Sequence, residues 1–421
     1  MNERSASVNG ISIYSLTNPN LRSFCLSLYV RAGSIFEDIS NNGISHLFEH
    51  VVFRNIKNKY ENFYELLAMH GLCFQGSTYK KFVSFTIDGP QHEFDFAIEI
   101  LCGLFDEIKL TSHDFNNEKG RIKAEIREKD RRSSLDFYFD SIVWKNSEVE
   151  KIVLGYCKTI DRVSVKKINE FRQKVLSAGN CFVYATGNIS DKNLDALNKK
   201  ISELDISQSN PGFTNTVTVN DEFFHREKKI WIKNNYWHYI QIGFDVDCSK
   251  YPGGVYDLLY ALLFNGDKAL VYNYLSEDNP IIYSYDSTFE QYDNVGNINF
   301  SFEVDRNKIE DVFKTVVELL NAAKDGRFNF EANLNYEMFN WELDLDNPDN
   351  LNWNMAYYNH ILKTQLIDYS DEFYGRFRVT KEQIIDAAKY IFRRCNMTVA
   401  VKGDRKKINT EAIEKILESL D

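Results

Sequence analysis

The chain has 421 residues, of which 43% are hydrophobic and 26% charged, and its formal net charge at pH 7 is −11. This length exceeds what one ordinary hydrophobic core fills, so we expect two to four domains. The composition is that of a globular protein, without a run long enough to span a membrane, the apolar core of a signal peptide or the basic face of a nucleic-acid-binding protein. We therefore expect neither a membrane nor a nucleic acid among its partners.

Cysteine usage indicates a reducing compartment. The seven cysteines are scattered singly, their number is odd, and no two are spaced as CxxC. This pattern argues against a disulfide framework and against a zinc site built from thiolates. We expect reduced thiols and a cytoplasmic protein.

In chain order, each half of the sequence begins with strand patterns and continues with helical ones. Alternating or continuous apolar residues predict strands at residues 11–16, 24–30, 229–233 and 239–246. Amphipathic periodicity predicts helices at residues 44–53, 63–69, 94–105, 118–131, 137–144, 165–176, 258–264, 309–323, 336–345, 355–366 and 381–393.

The two halves end alike, which favours an internal duplication. Residues 180–187 have the sequence N-C-F-V-Y-A-T-G and residues 396–403 have N-M-T-V-A-V-K-G, so that one offset of 216 residues relates both ends of the two segments. Each segment follows an amphipathic helix and precedes a polar turn and another helix. A fixed offset across several elements is typical of repeated units, although two unrelated αβ ends can share such a pattern.

The clearest break lies at residues 204–222, which are rich in Ser, Asn and Thr and lack apolar periodicity. We predict a first domain at residues 1–204, a linker at 205–222 and a homologous second domain at 223–421. Strands followed by helices within each half favour an α+β fold, in which a mostly antiparallel sheet is covered by helices on one face.

The strongest chemical signal lies at residues 43–53, which have the sequence G-I-S-H-L-F-E-H-V-V-F. Apolar residues at helical spacing place His46 and His50 on one face of a half-buried helix, where two imidazoles can aim at one tetrahedral metal ion. Glu49 lies near that face and could accept a proton instead of binding the metal. Histidines that are merely hydrogen-bonded are the alternative, but burying these groups without a partner would be costly.

A third ligand has to come from another element, because a catalytic zinc site usually has three protein ligands and one open position. Residues 117–128 form a helical pattern in which Glu118 and Glu125 lie two turns apart on one face. Taken alone, this helix is rich in Glu and Lys, which is typical of a charged face in contact with solvent.

Together, the two segments resemble the signature of the inverzincin metallopeptidases, the family of pitrilysin, insulin-degrading enzyme and mitochondrial processing peptidase. Residues 46–50 match its HxxEH motif, and residues 118–126, E-K-G-R-I-K-A-E-I, are similar to the family's second metal helix. Glu125 follows His50 by 75 residues, which is the family's spacing. The resemblance implies two α+β domains that form one half of a clamshell.

The resemblance also assigns roles to residues. It implies that His46, His50 and Glu125 bind Zn²⁺, that Glu49 is the general base, and that Glu118 orients the metal ligands from behind them.

The family has an edge strand that receives the substrate, and residues 71–78, G-L-C-F-Q-G-S-T, correspond to it, with a Gln in place of the usual Asn. The resemblance implies that a peptide binds there as an added strand. The implied substrate contacts are Phe74, Gln75, Gly76, Ser77 and Thr78.

The second half lacks the metal motif, because residues 258–265 contain no histidine and no pair of acids. In the family this half often supplies an Arg and a Tyr to the substrate. Tyr283 is present here, but Ser276 stands where the Arg is expected, and Tyr283 is alternatively an ordinary core or edge-strand tyrosine. Because some family members are heterodimers in which a metal-free sister chain supplies the Arg–Tyr pair, the resemblance implies such a partner rather than a homodimer.

The expected function is that of a zinc endopeptidase that cleaves peptides or unstructured segments with zinc-activated water and Glu49 as base. Relatives of this size that process peptide precursors make a precursor one candidate substrate. Two alternatives are a zinc-bound scaffold subunit without turnover and a peptide-binding module that needs no zinc.

Overall fold

The structure is a computed structural model that describes residues 3–132, 134–213, 217–363 and 378–420. The strands are β1 (Arg4–Val8), β2 (Ile11–Thr17), β3 (Ser23–Val30), β4 (Cys73–Thr78), β5 (Val83–Pro90), β6 (Cys181–Gly187), β7 (Ile230–Asn234), β8 (His238–Asp247), β9 (Tyr285–Tyr292), β10 (Val295–Val304) and β11 (Met397–Gly403). The helices are α1 (Ile44–Lys59), α2 (Phe63–Met69), α3 (Phe94–Gly103), α4 (Ser112–Arg132), α5 (Ser134–Val143), α6 (Cys157–Asp161), α7 (Val165–Val175), α8 (Asp191–Ser202), α9 (Gly253–Phe264), α10 (Leu270–Tyr272), α11 (Ile309–Lys324), α12 (Phe330–Asp344), α13 (Pro348–Met355), α14 (Lys381–Ile391) and α15 (Thr410–Leu417). None of the described helices is long and apolar enough to cross a membrane.

Two sheets share one topology. The first has the strand order β1-β2-β6-β3-β5-β4, and the second has the order β7-β11-β8-β10-β9. In each sheet a single pair is parallel, β2 with β6 and β7 with β11, and the other pairs are antiparallel. Five strands of the first sheet therefore recur in the second in the same order and directions. The predicted α+β class and the duplication are confirmed.

The chain forms two compact units that are not continuous in sequence. The first consists of Met1–Arg132, Glu148–Asn215 and Leu343–Ile361, and the second of Ser133–Ser147, Thr216–Glu342 and Leu362–Asp421. The division between residues 215 and 216 lies inside the segment predicted as a linker. Each half also contributes one helix to the other half's unit, an exchange that the predicted boundaries do not include.

In the first unit, the exchanged helix α13 covers the second face of the sheet. Alternation along β3 turns Leu26 and Leu28 toward the helices of the core and Tyr29 toward the opposite face, yet all three are buried. Tyr29 Oη donates to Asn352 Oδ1 at 2.9 Å, and Asn352 Nδ2 donates to the carbonyl of Tyr184 at 2.9 Å. The expectation of a sheet covered on one face only is therefore wrong, because a helix distant in sequence supplies the second layer.

In the second unit, α5 covers the corresponding face. A Cβ atom at Gly243 of β8 would lie 2.6 Å from Phe139 Cζ, so a glycine lets the helix approach. Arg226 and Asp245 form a fully buried ion pair at 2.8 Å, and Arg226 Nη2 also donates to the carbonyl of Val143 at 3.2 Å. This pair fixes the end of α5 against the sheet.

Most predicted helices occur close to their predicted bounds, but the one predicted at residues 355–366 differs in type. Of the helix predicted at residues 355–366, Ala356–Leu362 form π-helical turns, while residues 364–366 lie outside the described part of the chain. Strands β1, β5, β9 and β10 are absent from the sequence-based predictions and complete the two sheets.

Asp88 of β5 gives the first unit a pH-dependent stability. Burial, and then the neighbouring Asp349 carboxylate, raise the pKa of Asp88 to about 6. Because this lies above the ordinary value, the stabilisation from protonated Asp88 is complete below about pH 4 and is lost as the pH rises through 6. At pH 8 we expect Asp88→Asn to have a free energy of unfolding that is higher than that of the wild type by up to roughly 2–3 kcal/mol, measured by urea denaturation. At pH 4 we expect the two free energies of unfolding to be equal. The same gain in a variant of the exposed Asp195 (Asp195→Asn) would contradict this assignment.

Candidate metal centre

A buried carboxylate, that of Glu37, caps the N-terminus of helix α1. Glu37, which is 4% exposed, accepts hydrogen bonds from the backbone N–H groups of Gly43 at 2.7 Å and Ser45 at 2.8 Å. Gly43 has a φ of 95°, in the left-handed region, and a Cβ there would lie 2.8 Å from the carbonyl oxygen of Leu154. These contacts fix the first turn of α1 and thereby the direction of His46. Glu37 is not predicted from the sequence, because it lies outside the spacing of a local capping motif.

Three side chains predicted as metal ligands converge. The rings of His46 and His50 lie 4.7 Å apart between centroids and nearly perpendicular, at 83°. Glu125 of α4 places Oε2 at 3.5 Å from His46 Nε2. One potential ligand atom from each of the three residues lies within 4.8 Å of the other two. Two helices far apart in sequence thus bring two imidazoles and a carboxylate to one point.

The chemistry of this group fits a metal ion such as Zn²⁺. Ligand atoms at about 2.0–2.2 Å from a tetrahedral ion lie roughly 3.4 Å from one another, and His46 Nε2 and Glu125 Oε2 are 3.5 Å apart. His46 is 6% exposed, and its Nδ1 atom is buried with no hydrogen-bond partner in the described chain. Burial, and then the charges of His50 and Lys129, lower the pKa of His46 to about 3, which keeps the imidazole in the neutral form that metals bind.

Glu118 lies behind the histidines and is 2% exposed. Its Oε2 atom lies 3.5 Å from His50 Nδ1, and its Oε1 atom is 3.2 Å from Arg121 Nη1 and 3.9 Å from Arg54 Nε. Burial alone would raise the pKa of Glu118, but the hydrogen bond from His50 and the charges of Arg121 and Arg54 outweigh it and lower that pKa. An ionised Glu118 occupies Nδ1 of His50 and leaves Nε2 free to face the site.

Glu49 lies beside the group without being one of its three members. Thr78 Oγ1 donates to Glu49 Oε2 at 2.8 Å. Burial raises the pKa of Glu49, the hydrogen bond from Thr78 and the charge of His50 oppose this, and the charge of Glu125 adds to it. The net result is a raised pKa, which suits a carboxylate that accepts and returns a proton.

Strand β4 is the outer strand of its sheet and borders Glu49. Phe74 stacks on Phe53 of α1 at 4.7 Å between ring centroids, and Gly76 lies so close to α1 that a Cβ there would be 2.9 Å from Glu49 Cγ. Gln75 and Ser77, by the alternation of a strand, face away from α1. The structure therefore divides the five predicted substrate residues of β4 between the two faces of the sheet.

Tyr283 belongs to the second unit, where it precedes β9 and is 98% exposed. Ser276 lies in a short π-helical segment, Asn273–Glu277. The structure places both in the second unit and gives Tyr283 no core position.

The second unit preserves the framework of the centre without its ligands. Helix α9 follows β8 as α1 follows β3, and by the strand registers Ser287 of β9 has the place that Gly76, the neighbour of Glu49, has in β4. Tyr260 then corresponds to Glu49, and Ala261 to His50. Tyr260 Oη lies 2.8 Å from Ser287 Oγ of β9, just as Glu49 bonds to a residue of β4. Among the described residues of this unit, no group of three potential metal ligands comes together.

Two models of known protein families match the chain. Residues 13–155 match the model of Insulinase (Peptidase family M16), and residues 162–332 match that of the Peptidase M16 inactive domain. The chain belongs to the insulinase family, peptidase family M16, which confirms the inverzincin resemblance.

Related sequences carry peptidase names. The zinc protease YmxG of Bacillus subtilis is 21% identical over 75% of this chain and 77% of its own length. The mitochondrial-processing peptidase subunit beta of Saccharomyces cerevisiae is 23% identical over 44% of this chain and 41% of that subunit. The zinc protease PQQL-like of Arabidopsis thaliana is 28% identical over 44% of this chain and 20% of its own length.

Solved structures share the whole fold. A protease from Helicobacter pylori superposes with a TM-score of 0.82 at 18% identity, covering 96% of this chain and 99% of that one. A peptidase M16 inactive domain from Pseudomonas fluorescens superposes with a TM-score of 0.81 at 15% identity, covering 96% and 98%.

Proposed function

We propose that the protein is a zinc metalloendopeptidase that hydrolyses peptides or unstructured segments in the cytoplasm. The observation that carries this proposal is the approach of His46, His50 and Glu125 within 4.8 Å, with the Glu49 carboxylate beside them. The seven cysteines, all unpaired, are compatible with a reducing compartment.

Each residue of the site has a distinct role in the proposed reaction. His46, His50 and Glu125 would hold Zn²⁺, and Glu118 would orient His50 through its Nδ1 atom. Zinc held there supplies Lewis acidity, which lowers the pKa of water and polarises a carbonyl. Glu49 takes the proton of the attacking water and returns it to the leaving amine. Thr78, through its hydrogen bond, holds the Glu49 carboxylate toward the site.

The free edge of β4 supports a peptide substrate. The strand ends its sheet, so the backbone groups on its outer side can pair with an extended peptide. Such a peptide would lie along Phe74 to Thr78, beside Glu49. A peptide precursor is one candidate, because its cleaved segment is extended before it folds.

A second chain completes the proposed enzyme. The second unit of this chain has Tyr283 but Ser276 in place of the family's arginine, so we propose that a metal-free sister chain supplies the Arg–Tyr pair. The yeast relative, which is named as a subunit of a peptidase, supports this arrangement over a homodimer.

One observation favours a non-catalytic alternative. Residues 162–332 match the inactive-domain model, and by the strand registers and the contact of Tyr260 with Ser287 the counterparts of Glu49 and His50 are Tyr260 and Ala261. A zinc-bound scaffold subunit would share these features. It would bind metal yet hydrolyse no peptide, even with its sister chain present.

The test is a measurement of zinc content and of hydrolysis of a quenched fluorescent peptide library, with and without the chelator 1,10-phenanthroline, for the chain alone and with its copurified partner. We expect about one zinc per chain and hydrolysis that the chelator abolishes and zinc restores. Metal without hydrolysis in either preparation would favour the scaffold, and the absence of bound metal would contradict both readings.

Gly76 provides a test of the packing between β4 and Glu49. In the variant Gly76→Ala the new methyl group would lie 2.9 Å from Glu49 Cγ and 3.0 Å from Oε1, so the carboxylate has to shift. Since a displacement of about 1 Å at a catalytic group can cost on the order of 10²-fold, we expect kcat to fall roughly 10- to 100-fold at unchanged zinc content. Gly120→Ala is the control, because a Cβ at Gly120 of α4 meets nothing within 4 Å. Equal activity of the two variants would contradict the proposed position of Glu49.

A further inference from the structure

A polar cavity of about 370 Å³ lies against the face of β4 that points away from Glu49. Gln75 and Ser77 of β4 form one wall. Asp344, Asp349 and Trp353, at the end of α12 and on α13, form the opposite wall. The cavity belongs entirely to the first unit and is distinct from the His–His–Glu group, which lies on the other side of the strand.

The cavity concentrates carboxylates without a cation. Asp344 and Asp349 line it, and Asp88 lies next to Asp349, with potential ligand atoms of the two and of Cys25 all within 4.8 Å of one another. No lysine, arginine or histidine is among the lining residues, and none pairs with these carboxylates in the described part of the chain. This crowding of negative charge is what raises the pKa of Asp88 above the effect of burial alone.

Aromatic rings complete the wall. Trp353 lies 5.2 Å from the ring of Tyr79 and stacks on Tyr357 at 5.5 Å and 7°. Flat rings beside carboxylates suit a long side chain that has an apolar stem and a cationic end, because the stem packs on the rings and the charge is attracted to both the ring faces and the acids.

The position of the cavity relates it to a bound peptide. In a strand added to β4, successive side chains point to opposite faces of the sheet. Side chains on the Gly76 and Thr78 side meet Glu49. Their immediate neighbours along the peptide point to the Gln75 and Ser77 side, where the cavity opens.

We propose that this cavity is a specificity subsite that receives one lysine or arginine side chain of the peptide substrate. The inference rests on the proposed function, because it takes the peptide to pair with β4. A metal ion is the rival occupant, but the Cys25 thiol is fully buried and hydrogen-bonded to Ser27, and burial raises its pKa, so it lacks the thiolate form that binds metal.

The experiment measures peptide binding by the zinc-loaded, full-length Glu49→Gln chain together with its copurified partner, in which hydrolysis is expected to be slowed by on the order of 10²–10⁴-fold. Fluorescein-labelled ten-residue peptides of Ala, Ser and Gln carry a single Lys at successive positions, each paired with a peptide that has norleucine there. We expect the Lys peptide to bind roughly 10- to 100-fold more tightly than its norleucine partner when the residue stands at every second position, the positions whose side chains point to the cavity. This is the difference that a charge-assisted contact would give. Asp349→Asn should reduce this preference to less than about threefold while the norleucine peptides bind as before. Trp353→Leu should weaken the binding of both peptides of a pair, because it removes the ring on which the apolar stem packs.

Asp346→Asn is the matched control, because it removes the same charge from a neighbouring exposed position that does not line the cavity. It should keep the full preference for Lys. An equal loss in Asp346→Asn, or equal binding of Lys and norleucine by the parent chain, would overturn the subsite while leaving peptide binding intact. A second equivalent of zinc that disappears in Asp349→Asn would assign the cavity to a metal and overturn it as well. If no peptide binds at all, the proposed function fails together with the subsite.

Discussion

Replacement of Glu49 by glutamine is expected to lower peptide hydrolysis by on the order of 10²–10⁴-fold, with one zinc still bound per chain. The physical reason is that glutamine keeps the size of the side chain and its hydrogen bond with Thr78, but its amide cannot accept a proton from water. Because Glu49 lies beside the three metal-binding candidates and is not one of them, metal binding should survive. The measurement is kcat on a quenched fluorescent peptide together with zinc analysis of the same sample.

The control for Glu49→Gln is Glu65→Gln, which makes the same chemical change at an exposed position of α2. It should retain full activity. Full hydrolysis by Glu49→Gln would show that another group accepts the proton. Simultaneous loss of zinc would show that Glu49 is a ligand, which the proposed division of roles excludes.

Loss of Glu125 is expected to release the metal. Structural zinc sites bind with about 10–16 kcal/mol, or roughly 2.5–4 kcal/mol for each of four ligands, so removing one ligand should weaken zinc binding by on the order of 10²–10³-fold. We therefore expect Glu125→Ala to lose zinc during dialysis against a chelator that the wild type withstands. Hydrolysis should fall with the zinc content.

Glu128→Ala is the matched control, because it removes an exposed carboxylate from the same helix, less than one turn away. Circular dichroism would verify that both variants are folded. Zinc retained by Glu125→Ala at wild-type affinity would contradict the assignment of this carboxylate, even if activity were lost.

The sequence predicts the parts of the centre that lie within one helix. The 3.6-residue period places His46 and His50 on one face of α1, and this placement needs no knowledge of the tertiary structure. Glu125 is different, because its helix by itself is typical of a solvated charged face. Only the spacing shared with a known family linked it to α1, since the packing of α4 on α1 is a tertiary fact.

Other features depend on contacts between distant segments, and the sequence does not reveal them. Glu37 caps α1 from outside any local capping pattern, and α5 and α13 pack on sheets of the opposite half. The placement of Gln75 and Gly76 on opposite faces of β4, however, is predictable from the sequence. A period of two along β4 already predicts that they lie on opposite faces of the sheet, whereas the predicted substrate contacts at residues 74 to 78 do not distinguish the two faces.

The most direct test of the account is anomalous diffraction at the zinc absorption edge from crystals of the protein grown with zinc. We expect one strong peak within bonding distance of His46, His50 and Glu125, with Glu49 outside the coordination sphere. A well-ordered crystal with no anomalous peak between these three side chains, or with a peak that Glu125 does not contact, would contradict it.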